Sequence, residues 1–176
     1  VGIIFIYFLL SIINNSIVEM IITISKTRAK ILANWLTTVF DKDVDMPEGE
    51  SKKKLGQAIM DHLSVAGLTL SGKCPSYIDA KNFANALIEK VTFDPKNPDV
   101  VDDTLAKIIG KLEKCNALPK ELKRTFIGYA IDAKQTYDAL QENTVGEKNT
   151  IGEIELFKKK LEDWYDTSTQ RLAGTL

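Results

Sequence analysis

The chain has 176 residues, 44% hydrophobic and 27% charged, with a net charge of −1. That length suits one domain of ordinary size. The near-neutral balance argues against a nucleic-acid partner, because phosphate binding needs a basic surplus on one face.

The first element is VGIIFIYFLLSIINNSIVEMIITISKTRAK. From Val1 to Ile13 only Gly2, Tyr7 and Ser11 interrupt the apolar run, and nothing is charged. Asn14, Asn15 and Ser16 follow, and the run then resumes to Ile24 with Glu19 inside it. A bilayer core takes roughly 20 mostly apolar residues as a helix, so residues 1–24 are long enough to cross one. Two other readings compete. A signal peptide carries about 7–15 apolar residues and a small-residue cleavage site, but no such site follows Ile13. A helix apolar on every side can also be the hidden centre of a bundle, but few residues remain to wrap it. A transmembrane helix is the expected outcome. There is no initiator Met at Val1, and the helical pattern is still running at Leu176, so both ends are expected to be truncations.

Lys26, Arg28 and Lys30 follow the run directly. Positive flanks stay cytoplasmic, which predicts an outside N-terminus and residues 25–176 in the cytoplasm. Cys74 and Cys115 sit in no paired motif, in keeping with a reducing compartment. Ala29, Ile31, Leu32, Trp35, Leu36, Val39 and Phe40 keep helical spacing, so the first helix is expected to continue to about Phe40.

Asp41 to Glu50, DKDVDMPEGE, reads as a loop. Ser51 to Leu63 reads as a short helix, with Leu55, Ile59 and Leu63 four apart. Cys74 to Val91 predicts the next helix, with Asp79 as a plausible N-cap. FDPKNPD, from Phe93 to Asp99, must turn because of its two prolines. Val100 to Cys115 forms a helix that Asn116 ends. Pro119 opens another, carrying apolar residues as far as Leu140. Gln141 to Thr150 is a polar loop. The last helix runs from about Thr150 to beyond Leu172, with Ile151, Ile154, Phe157, Leu161 and Trp164 on its apolar stripe. No stretch alternates with period two. The fold class is therefore all-α: an N-terminal transmembrane helix, residues 1–24, continuing into a cytoplasmic bundle of about five further helices.

The chemistry-bearing motifs are incomplete. A calcium loop starting at Asp41, Asp43 and Asp45 needs Gly at its sixth position and Glu at its twelfth, where this chain has Met46 and Lys52. His62 is the only histidine and has no metal-ligand spacing to either cysteine. There is no G-x-S-x-G elbow and no S-x-x-K set, and GKCPS lacks the spacing of a phosphate-binding loop. No catalytic residue, cofactor or metal is expected, and the chain is read as a non-enzyme. Asn14, Asn15 and Glu19 are candidate polar contacts inside the membrane. Lys26, Arg28, Lys30, Lys158, Lys159, Lys160, Trp164 and Arg171 are candidate contacts at its surface. Trp164 fits equally a core position that leaves Tyr165 at the edge.

Pro75-Ser76-Tyr77-Ile78, Phe83-Ala84 and Ala86-Leu87 form one recognisable set. Leu156-Phe157-Lys158, Leu161 to Thr167, Arg171 and Gly174 form another. Together with the N-terminal run, they resemble a family of uncharacterised bacterial membrane proteins. Such proteins have one span, a helical cytoplasmic region and a tryptophan–aromatic–acid segment, and further spans follow. The chain departs from that pattern at Asp166 to Gln170 and after Gly174. The resemblance implies a bacterial inner-membrane topology and another membrane segment beyond Leu176; it carries no activity. The expected role is a membrane-anchored interaction or scaffold protein that contacts lipid and a protein partner or a second copy. The alternative is part of a multi-span transporter or channel, with Glu19 and Asn15 lining its path.

Overall fold

α1 is one unbroken helix of 40 residues, Gly2–Asp41, about 60 Å long at 1.5 Å per residue. Asn14 to Ser16 do not interrupt it. The computed structural model describes residues 2–41, 54–62, 65, 75–93, 104–143 and 152–174. Among these, every regular element is helical: α1 is followed by α2 (Leu55–Met60), α3 (Ala80–Thr92), α4 (Leu105–Lys114), α5 (Lys120–Asn143) and α6 (Glu153–Ala173). The all-α expectation and the count of about five further helices both hold.

α1 has two halves with opposite surroundings. Its large apolar residues from Ile3 to Ile24 are 42–76% exposed, whereas Leu32, Leu36 and Phe40 are buried. The first half is therefore not the hidden centre of the bundle. The second half is locked into it, because a four-residue step keeps Leu32, Leu36 and Phe40 on one face.

The helix ends follow local chemistry. α2 stops three residues before the expected Leu63, because the His62 amide bonds back to the Ile59 carbonyl at 3.2 Å and tightens the last turn. α3 starts at Ala80, directly after the Asp79 cap that the sequence predicts. The Asp79 carboxylate accepts from the Lys81 and Asn82 amides at 3.0 and 3.4 Å and sets that start. The first amide of α4, from Leu105, is satisfied at long range by Glu153 Oε1 in the first turn of α6, at 2.8 Å. α5 opens where Pro119 predicts and runs on to Asn143, into residues read as loop.

α6 packs between α3 and α5, α4 lies against both of those, and α2 bridges α1 and α3. Where α1 ends, Phe40 meets Phe83, Phe126 and Trp164 at ring-centroid distances of 5.9, 6.5 and 6.1 Å. One helix end therefore touches three others. Trp35 meets Trp164 and Tyr165 at 6.1 and 5.9 Å. Of the two readings of the α6 aromatics, the core one, with Trp164 inward and Tyr165 at the edge, is reversed. Tyr165 is 1% exposed and stacks on Phe83 at 4.3 Å, while Trp164 is only half-buried.

Gly56 sets the approach of α2 to α1. A Cβ on it would lie 2.7 Å from the Leu36 carbonyl oxygen and 3.2 Å from the Thr37 Cα. Backbone atoms cannot swing aside, so Gly56→Ala should destabilise the fold by about 1–3 kcal/mol. Gly128 on α5 has open space where its Cβ would be, so Gly128→Ala should stabilise by roughly 0.5–1 kcal/mol through chain entropy. Thermal unfolding of the two variants should shift in opposite directions; an unchanged midpoint for Gly56→Ala would show the contact to be slack.

Candidate functional site

The buried line of α1 ends in a cation. Phe40, Leu36 and Leu32 occupy it at four-residue steps, and the next position is Arg28, which is exposed. A guanidinium cannot continue an apolar core without a partner, and the bundle opens at this level. The opening is a cleft of about 360 Å³, lined from α1 by Arg28, Ile31 and Leu32 and from the segment before α3 by Ser76, Tyr77 and Ile78. α6 contributes Tyr165, Asp166, Thr169, Gln170 and Leu172. α6 runs back along α1. Trp164 and Tyr165 meet Trp35, and the turn from Thr169 to Leu172 comes beside Arg28 and Ile31.

The three basic residues that flank the apolar run are not equivalent in three dimensions. Lys26 and Lys30 lie about 200° around the helix from Arg28, and neither lines the cleft.

Tyr165 gives the cleft a polar floor. The side chain is buried, yet its hydroxyl has no hydrogen-bond partner among the described residues. Burial, and after it the nearby Tyr77, Asp166 and Asp79, pushes the phenol above the usual tyrosine range. It therefore keeps its proton and remains a donor. Tyr77 and Asp166 line the same cleft, so the hydroxyl faces it. The Thr169 hydroxyl is engaged by its own helix, donating to the Tyr165 and Asp166 carbonyls at 3.0 and 3.1 Å.

The other residues singled out by the sequence lie elsewhere. Asn14, Asn15 and Glu19 are exposed on the free half of α1. Ser11, Asn15, Glu19, Thr23 and Thr27 share one line at four-residue spacing; Asn14 is off it. Thr23 and Thr27 donate to the Glu19 and Thr23 carbonyls at 2.8 and 2.9 Å, so their hydroxyls are satisfied within the helix. Lys158, Lys159 and Lys160 are in the first half of α6, about 20 Å along the helix from the cleft end, and Lys160 pairs with Asp132 of α5. Trp164 and Arg171 line a second, polar groove of about 430 Å³ with Asp132, Lys160 and Asp163.

Of the DKDVD stretch, Asp41 accepts from the Gly56 amide at 2.8 Å; Asp43 and Asp45 lie outside the described residues, as do Lys52, Lys53 and Cys74. His62 Nε2 meets Glu89 Oε2 at 2.8 Å. Cys115 is a half-buried free thiol.

Tyr165, Asp166, Gln170 and Tyr77 were not legible as a site. They come from two segments some 90 residues apart, and no spacing rule joins them. No family model, no curated protein and no solved structure matches this chain.

Proposed function

We propose that this chain is a membrane-anchored helical interaction module with no catalytic activity of its own. Residues 2–24 of α1 are the anchor. The bundle from Ala29 onward is held rigidly on that anchor at the cytoplasmic face of a bacterial inner membrane and presents a surface to a protein partner or a second copy. The observation that carries this reading is the split in α1. No described residue covers its apolar run, while the same helix ends in the centre of the core. An apolar surface of that extent on a water-soluble monomer exceeds the few hundred Å² that such proteins tolerate. The polar line through Asn15 and Glu19 supports a helical partner within the bilayer, since such groups in hydrocarbon seek hydrogen bonds across helices.

Alkaline carbonate extraction of membranes from cells producing the whole gene product tests the anchor. The chain should stay in the pellet; release into the supernatant would remove the anchor, the orientation and the location together. A purified chain that stays monomeric, and crosslinks to no partner in intact membranes, would count against the interaction role.

A further inference from the structure

We infer that the cleft between α1, α6 and the Ser76–Ile78 segment holds the headgroup of an aminophospholipid, its phosphate on Arg28 and the Tyr165 hydroxyl and its ammonium on Asp166. The inference rests on the anchoring role of α1. Four features of the cleft lead to it.

The first is depth. Arg28 is four residues beyond Ile24, about 6 Å along the helix. A bilayer of ~40–45 Å around a ~30 Å hydrocarbon core leaves roughly 5–7 Å of headgroup layer on each side. The cleft therefore opens at headgroup level.

The second is charge. Arg28 and Asp166 line the same cleft, but neither makes an ion pair with the other or with any other described residue. One cation and one carboxylate set apart across a cleft match a dipolar ion. A purely anionic headgroup would leave Asp166 repelling it.

The third is hydrogen bonding. The Tyr165 side chain is buried except at the cleft, which it lines, and its hydroxyl donates to no described residue, so it is a donor open to whatever occupies the cleft. A phosphate oxygen is the strong acceptor it lacks. Asp166, Gln170 and Ser76 add acceptors that an ammonium with three N–H groups satisfies and a trimethylammonium does not.

The fourth is continuity. A smaller groove formed by Thr23, Ile24, Thr27 and Arg28 adjoins the cleft at Arg28; its Thr23 and Thr27 side borders the polar line, and its Ile24 side continues onto the exposed apolar residues Met20, Ile21 and Ile17. An acyl chain would follow that route.

Native mass spectrometry of the whole chain released from detergent tests this, titrating phosphatidylethanolamine, phosphatidylcholine and phosphatidylglycerol separately. The ethanolamine lipid should bind at least several-fold more tightly than the other two. Tyr165→Phe keeps the ring and its stacking, and should weaken that binding by roughly tenfold, the worth of one hydrogen bond to a charged group. Asp166→Asn should erase the preference for ethanolamine over choline while leaving choline-lipid binding unchanged. Arg28→Gln should weaken all three. Equal binding of the three lipids, a preference for the glycerol lipid, or Tyr165→Phe indistinguishable from the parent would each overturn the assignment. So would soluble glycerophosphoethanolamine binding as tightly as the lipid, because the occupant would then be a free metabolite. Carbonate extraction of the same preparation separates the two ideas: a chain retained in the pellet without lipid preference defeats the cleft alone, whereas a chain washed free defeats the anchor.

Discussion

Phe40→Ala should lower the stability of the bundle by about 3–5 kcal/mol, the range for emptying a fully buried phenylalanine site. Phe40 is completely buried. Its ring touches α3 through Phe83, α5 through Phe126 and α6 through Trp164, and aromatic pairs contribute roughly 0.5–1.5 kcal/mol each beyond their buried area. A domain of this kind has only about 5–15 kcal/mol to lose. The void is not easily closed, because the surrounding rings come from three separate helices and cannot collapse together. Thermal unfolding of the detergent-solubilised chain should move down by on the order of 10 °C. Ile131→Ala, at a 46% exposed position on α5, should shift it by no more than about 1–2 °C. If the two variants unfolded alike, Phe40 would not be the centre of the core. The variant has a second consequence. Phe40 is the last buried residue of α1, so its loss should also loosen the anchor helix from the bundle, seen as faster proteolysis after Asp41.

Leu10→Arg combined with Ile13→Arg should release the chain from membranes on carbonate extraction. Both positions are more than half exposed on the free half of α1, near the middle of the apolar run. An arginine at the centre of a membrane helix costs about 2.5–3.5 kcal/mol on the insertion scale, so the pair opposes insertion by roughly 5–7 kcal/mol. Long side chains snorkel from the ends of a span but not from its middle. Ile131→Arg places an arginine on the bundle surface instead and should leave the chain in the pellet. Retention of the double variant would mean that residues 2–24 do not cross the bilayer.

The amino-acid sequence by itself determined the parts of this protein that depend on neighbours along the chain. Helical spacing from Ala29 to Phe40 predicted one helix continuing out of the apolar run, and α1 does so. Asp79 was legible as a cap because a short carboxylate before an apolar stripe satisfies free amides, and it caps α3. Pro119 was legible as the opening of α5 for a similar local reason. These interactions reach no further than a turn of helix, so residue type and spacing are sufficient.

Tertiary structure alone decided which residues share a site. Lys26, Arg28 and Lys30 are interchangeable in the sequence, but only Arg28 shares the stripe of Leu32, Leu36 and Phe40 and so meets the cleft. Trp164 and Tyr165 are adjacent, and the register of α6 against α1 and α3 buries the tyrosine rather than the tryptophan. The start of α4 depends on Glu153, 48 residues away. The close contact at Gly56 depends on a carbonyl of another helix. Each of these outcomes follows from the rotation of one helix against another. Side-chain volumes across the whole core set that rotation, and no window of sequence contains them.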